Sequence, residues 1–202
     1  MYQKQTHETD PYLERLKRYV EELGVLSLRH SKRTYWDHLE GIYRDLVSWG
    51  CDEALCNAGV FHSIYGTEQF RAFELPLDKR SELQSLIGER AEQIAFLNCF
   101  MDRAVFDADV LSGRFPYRIR HRVDQVDIEL SPETFDGLCC VHLCDWLETV
   151  ARIDNWQYRR EAYRQLAMRQ NGPMKDAYER EMSGEPSTLD PAEPPSREGA
   201  TE

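Results

Sequence analysis

Leu55–Phe70, LCNAGVFHSIYGTEQF, is the stretch whose reading decides how this chain folds. It opens as an apolar helical run through Leu55, Ala58, Gly59, Val60 and Phe61, and it closes on His62. The small residues Ala58 and Gly59 let a neighbouring helix approach closely. Gly66 then permits a sharp turn, and the carboxylate Glu68 follows. One helix earlier, TYWDHLEGIY at 34–43 sets His38 beside an apolar stripe of Tyr35, Leu39, Ile42 and Leu46. A chemical centre is expected between these two histidines.

Helix signals recur on either side. Asp10-Pro11 supplies an N-cap and a proline at the first helical position, and Gly24 a stop. A short polar connection covers 29–33. Thr34 with Asp37 forms a capping box for a helix that Gly50 ends. A helix from Ser81 is interrupted at Gly88 and continues over Glu89–Val110. Between Tyr117 and Leu130 the apolar period becomes two, which predicts a β-hairpin. Ser131-Pro132 starts a helix through LCCVHLCDWLETVARI, apolar almost all round and therefore central. Asn155–Gln170 and Pro173–Met182 read as two further helices. The expectation is a mainly α bundle with one small hairpin, a single domain over 1–182, and a disordered, acidic, proline-rich tail over 183–202.

The chain has 202 residues, 41% of them hydrophobic and 30% charged, with a mean hydropathy of -0.64. The formal net charge is -11, which argues against general nucleic-acid binding through phosphate neutralisation. The cluster Arg114, Arg118, Arg120, His121, Arg122 reads as a solvated hairpin face or as a docking site for an anion. No apolar run reaches the ~18–20 residues of a membrane span, and the polar start MYQKQTHETD is neither a signal nor an anchor. The six cysteines form no CxxC pair; they read as reduced core thiols, which predicts a cytoplasmic protein.

His30, His38 and His62 bracket two consecutive helices, and Asp145 lies on the later central one. Neutral imidazoles and a carboxylate are ligands for zinc, iron or manganese, and separate helices of a bundle are an ordinary source for them. Each residue alone also reads as a packed, hydrogen-bonded core group. An aspartate inside a buried helix needs a cation, a metal or several donors.

Taken together, His38 on one helix, AGVFHS ending the next and LCDWLE on a central helix resemble the HD superfamily of metal-dependent phosphohydrolases. HSKRTYWDHLEGIY and NAGVFHSIYGTEQF look closer still to an allied bacterial domain of unknown function. The resemblance covers roughly Leu28–Arg152. It implies an orthogonal helical bundle, a divalent metal (Mn, Zn or Fe) on His38, His62 and Asp145, with His30 as a further donor, and a small anionic substrate. It also makes Glu68 a candidate general base, Tyr65 and Thr67 candidate substrate contacts, and Arg33 a candidate anion holder. The family's His-Asp doublet is here His62-Ser63, so one expected carboxylate is missing. Three functions follow: hydrolysis of a phosphoester or nucleotide, oxidation at a non-haem iron, or ligand binding without catalysis.

Overall fold

Local caps start the helices where the sequence signals them. In the computed structural model, which describes residues 10–30, 32–170 and 172–186, α1 runs Pro11–Glu22, its first turn capped by the Asp10 carboxylate. The strands β1 (Arg29–His30) and β2 (Arg33–Thr34) pair antiparallel, a small ladder where only a polar connection was expected. Next comes α2 (Tyr35–Ser48), with Thr34 and Asp37 making both halves of the capping box. The short α3 (Glu53–Val60) is capped by Asp52. A single 3-10 turn at Leu77–Lys79 leads into α4 (Arg80–Ile87), and α5 (Glu89–Phe100) and α6 (Arg103–Ser112) follow. The hairpin pairs β3 (Tyr117–Arg120) with β4 (Asp127–Leu130), Ile119 facing Ile128. Then come α7 (Pro132–Ile153), α8 (Arg160–Arg169) and α9 (Pro173–Ser183). The fold is mainly α, with a small antiparallel hairpin. No helix among the described residues is long and apolar enough to cross a membrane.

Two helix boundaries depart from the sequence reading. Glu89–Val110 is not one helix: the chain is extended at Met101 and restarts at Asp102, whose carboxylate caps Ala104 and Val105. The break is made from far away in sequence. The Asp102 N–H donates to Arg120 O at 2.7 Å, and the Arg122 N–H donates to Phe100 O at 2.7 Å, so the end of β3 stitches itself into the gap. Likewise Asn155–Arg159 is a turn, and α8 begins only at Arg160. The cause is tertiary again, because the Arg159 guanidinium is tied to Asp107 on α6. The tail expected over 183–202 lies outside the described residues from 187 on.

The core divides about α7. Cys140, Val141 and Cys144 face one cluster built with α1–α5. Phe135, Leu138, Leu143, Trp146 and Val150 face a second, built with α6, the hairpin, α8 and α9. Each fully buried Leu, Ile or Phe contributes about 1.5–3 kcal/mol of burial, so the two faces fix α7 firmly. All six cysteines are free thiols. Polar residues of α7 fall along the seam between the clusters, and that seam positions the site.

Candidate metal centre

Close helix packing brings His38 to the seam. It sits on the buried face of α2 with Tyr35, Leu39 and Ile42, itself wholly buried. Gly41, one turn on, lets α7 come close: a Cβ there would fall 2.9 Å from Glu148 Oε1. The Glu148 carboxylate therefore reaches under α2 and meets His38 Nδ1 at 2.5 Å. Arg152 holds the same carboxylate through two N–H groups at 2.6 Å, and Arg33 lies 3.7 Å away. Burial pushes the Glu148 carboxyl up, but His38 and Arg152 outweigh it and hold it below its ordinary value. An ionised carboxylate only accepts, so His38 Nδ1 carries the proton and Nε2 turns its lone pair inward.

His62 reaches the same orientation by another route. It follows the last turn of α3, where its Nδ1 lies 2.8 Å from Gly59 O. A carbonyl only accepts, so again Nε2 is left with the lone pair. Gly59 is needed for the packing: a Cβ there would fall 2.4 Å from Leu46 Cδ1 of α2. From α5, Asn98 Nδ2 donates to the His62 carbonyl at 2.8 Å, fixing its backbone. Asn98 Oδ1 accepts from His142 Nδ1 at 3.0 Å, while His142 Nε2 accepts from Arg159 at 2.8 Å. Burial and the two arginines, Arg159 and Arg103, push His142 well below the ordinary histidine value, so it is a neutral link in this chain of bonds.

Asp145 on α7 completes the cluster. Its Oδ1 lies 3.4 Å from His38 Nε2 and 3.4 Å from His62 Nε2. One ligand atom from each of the three residues falls within 4.8 Å of the others, and this group could hold a metal ion. Two donors bonded at ~2.1 Å with tetrahedral angles lie ~3.4 Å apart, so the spacing suits one ion such as zinc. Burial pushes the Asp145 carboxyl up, yet the imidazoles of His62 and His38 outweigh it and hold it well below the carboxylate range. His38 is raised above its ordinary value: burial lowers it, but Asp145 and Glu148 prevail. Three converging acceptors need a positive charge among them, and a proton or a divalent cation supplies it.

Beside the cluster is a cavity of about 100 Å³, lined in part by His62, Asp145, Ser63, Thr67, Arg103 and Tyr158. Among the described residues, Asp145 is the only acid on its wall. Ser63, standing where the resemblance expects an aspartate, is buried with its hydroxyl 3.0 Å from the Tyr35 hydroxyl.

Other expected site residues lie elsewhere. Thr67 lines the cavity, but its Oγ1 accepts from the Gln69 and Phe70 N–H groups. Glu68 is exposed and off the cavity wall; its carboxylate accepts the Arg103 N–H at 3.1 Å, at the start of α6. Tyr65 turns away and donates to Glu92 at 2.8 Å. Arg33 is half exposed on the far side of Glu148. The His30 side chain lies outside the described residues. His121, expected at the surface, is buried and stacks on Phe100 with ring centroids 4.7 Å apart. The basic cluster is largely spent in the hairpin, with Arg120 on Asp127 and Arg122 on the Cys99 carbonyl.

A family model described as a domain of unknown function, DUF6817, matches residues 19–103, a span that holds His38 and His62 but not Asp145. No curated protein matches the chain, and no solved structure matches it.

Proposed function

We propose that the chain is a mononuclear metal-dependent hydrolase of small phosphoesters, with His38, His62 and Asp145 as the protein ligands. The observation that carries this reading is the convergence of the His38 and His62 Nε2 atoms on one Asp145 oxygen, with His62 and Asp145 lining the adjoining cavity. Three protein donors leave room for water and substrate, which is how catalytic sites differ from closed structural ones. A bound divalent cation would supply Lewis acidity and lower the pKa of a coordinated water.

The chain's own residues do the rest. Glu148 and the Gly59 carbonyl hold the protons on the Nδ1 atoms, so both imidazoles present lone pairs. Ser63 in place of an acid favours one ion over two. With Glu68 turned to α6, no second carboxylate among the described residues lines the cavity beside the ligand Asp145. The same donor set also serves non-haem iron oxygenases, and the choice of metal separates the two chemistries.

The test is reconstitution with manganese, zinc or ferrous iron, followed by release of p-nitrophenol from p-nitrophenyl phosphate. Metal-dependent turnover that disappears in His62→Ala is expected. Loaded protein that cleaves no phosphoester but consumes oxygen with iron would replace hydrolysis by oxidation.

A further inference from the structure

The cavity that His62 and Asp145 line is also lined by side-chain donors with few acceptors, Arg103 and Tyr158. Arg103, in the first turn of α6, is 8% exposed. Among the described residues no carboxylate lies within ion-pair distance of its guanidinium. Its one side-chain hydrogen bond there runs from Nη1 to the Tyr158 hydroxyl at 2.8 Å. A buried cation without a counter-charge is costly, and this one lies on a cavity wall.

Tyr158 adds a second donor. Its oxygen accepts from Arg103 Nη1 and from Gln69 Nε2, both at 2.8 Å. A hydroxyl has two acceptor positions and one O–H. With both acceptor positions filled, the O–H remains to donate, and no described residue takes it. Trp146 lines the same cavity, and its buried indole N–H has no partner among the described residues. The same cavity is therefore lined both by acceptors for a cation, His62 and Asp145, and by donors for an anion, Arg103 and Tyr158.

From this arrangement we infer an oxyanion subsite, formed by Arg103, Tyr158 and Trp146, that receives the anionic group of the substrate next to the metal ligands. The simplest anion that tests the subsite is one tetrahedral oxyanion, inorganic phosphate, offered to the cavity of about 100 Å³. The subsite deepens the hydrolase reading and rests on it for its role in turnover, but anion binding itself does not require turnover.

The test is titration of the full chain with inorganic phosphate by calorimetry, alongside measured metal content. Wild type is expected to bind phosphate. Arg103→Gln should weaken binding roughly 10- to 100-fold, the loss of a charge-assisted contact, and Tyr158→Phe roughly 2- to 10-fold. Both variants should keep the metal. Arg103→Lys, which retains charge but not the planar fork, should fall between wild type and Arg103→Gln, and it carries the test if Arg103→Gln does not fold. Equal phosphate affinity in wild type and the Arg103 variants, or no phosphate binding by metal-loaded wild type, overturns the subsite. Arg103-dependent phosphate binding by a chain that takes no metal would sink the hydrolase reading and leave the subsite standing.

Discussion

Two carboxylates of this bundle, the buried Glu92 and the partly exposed Asp145, are treated oppositely. Glu92 on α5 is fully buried and surrounded by donors. Arg80 grips it with Nε and Nη2 at 2.8 Å, Gln84 adds an N–H at 2.9 Å and Tyr65 an O–H at 2.8 Å. Four donors meet about four lone-pair positions, so this centre is complete within the protein. Asp145 instead faces two imidazole Nε2 atoms across 3.4 Å and lines a cavity that Arg103, with no carboxylate partner among the described residues, also lines. A buried charge that the protein satisfies by itself holds structure together. One whose partners are other acceptors could hold a cation among them.

The contrast can be broken at either centre. Removing Glu92 should cost the most stability. Glu92→Ala leaves Arg80 short of its counter-ion and should lower unfolding free energy by about 3 kcal/mol in urea titration, toward the low end for a broken buried pair. Arg80 is 34% exposed and recovers some water. Metal binding should be unchanged; a variant that loses metal would show the two centres are one.

Glu148→Gln acts on the other centre. It removes the carboxylate that fixes the His38 tautomer, and metal affinity should fall roughly 10- to 100-fold by competition titration. Unchanged affinity would mean that His38 is oriented by packing alone.

Acid should separate the centres more gently. Burial raises the Glu92 carboxyl, but Arg80, Gln84 and Tyr65 outweigh it, and its pKa is lowered. A depressed carboxylate contributes stability that is fully present above the unfolded value, about 4.3, and is lost as pH falls through the lower folded value. The stability gap between wild type and Glu92→Gln should therefore be constant near neutrality and close below about pH 4. A gap that widens on acidification would contradict the assignment.

The smallest effect is expected at His121. His121→Ala removes a ring stacked on Phe100 and should cost about 1 kcal/mol of stability. It should leave metal affinity untouched.

How much of this was legible beforehand follows the range of the forces involved. The caps Asp10, Thr34 and Ser131 act within one turn, so their residues announce them. The break at Met101–Asp102 is imposed by β3, some twenty residues on, and apolar periodicity on both sides conceals it. His38, His62 and Asp145 stood out as polar groups on otherwise apolar helices. Glu148 did not, because an acid followed four residues later by Arg152 reads as a surface ion pair. Arg103 carried no signal, since its isolation comes from what the fold fails to place beside it. Tyr65 lies two residues from Ser63, and nothing local tells that its side chain goes to Glu92.

The most direct test is metal binding to the purified chain by calorimetry and elemental analysis, wild type against His62→Ala. One divalent ion per chain in wild type, and none in the variant while its helical circular-dichroism spectrum is retained, is the predicted result. A wild-type chain that takes up no divalent metal, or a variant that binds it equally well, would contradict the metal centre.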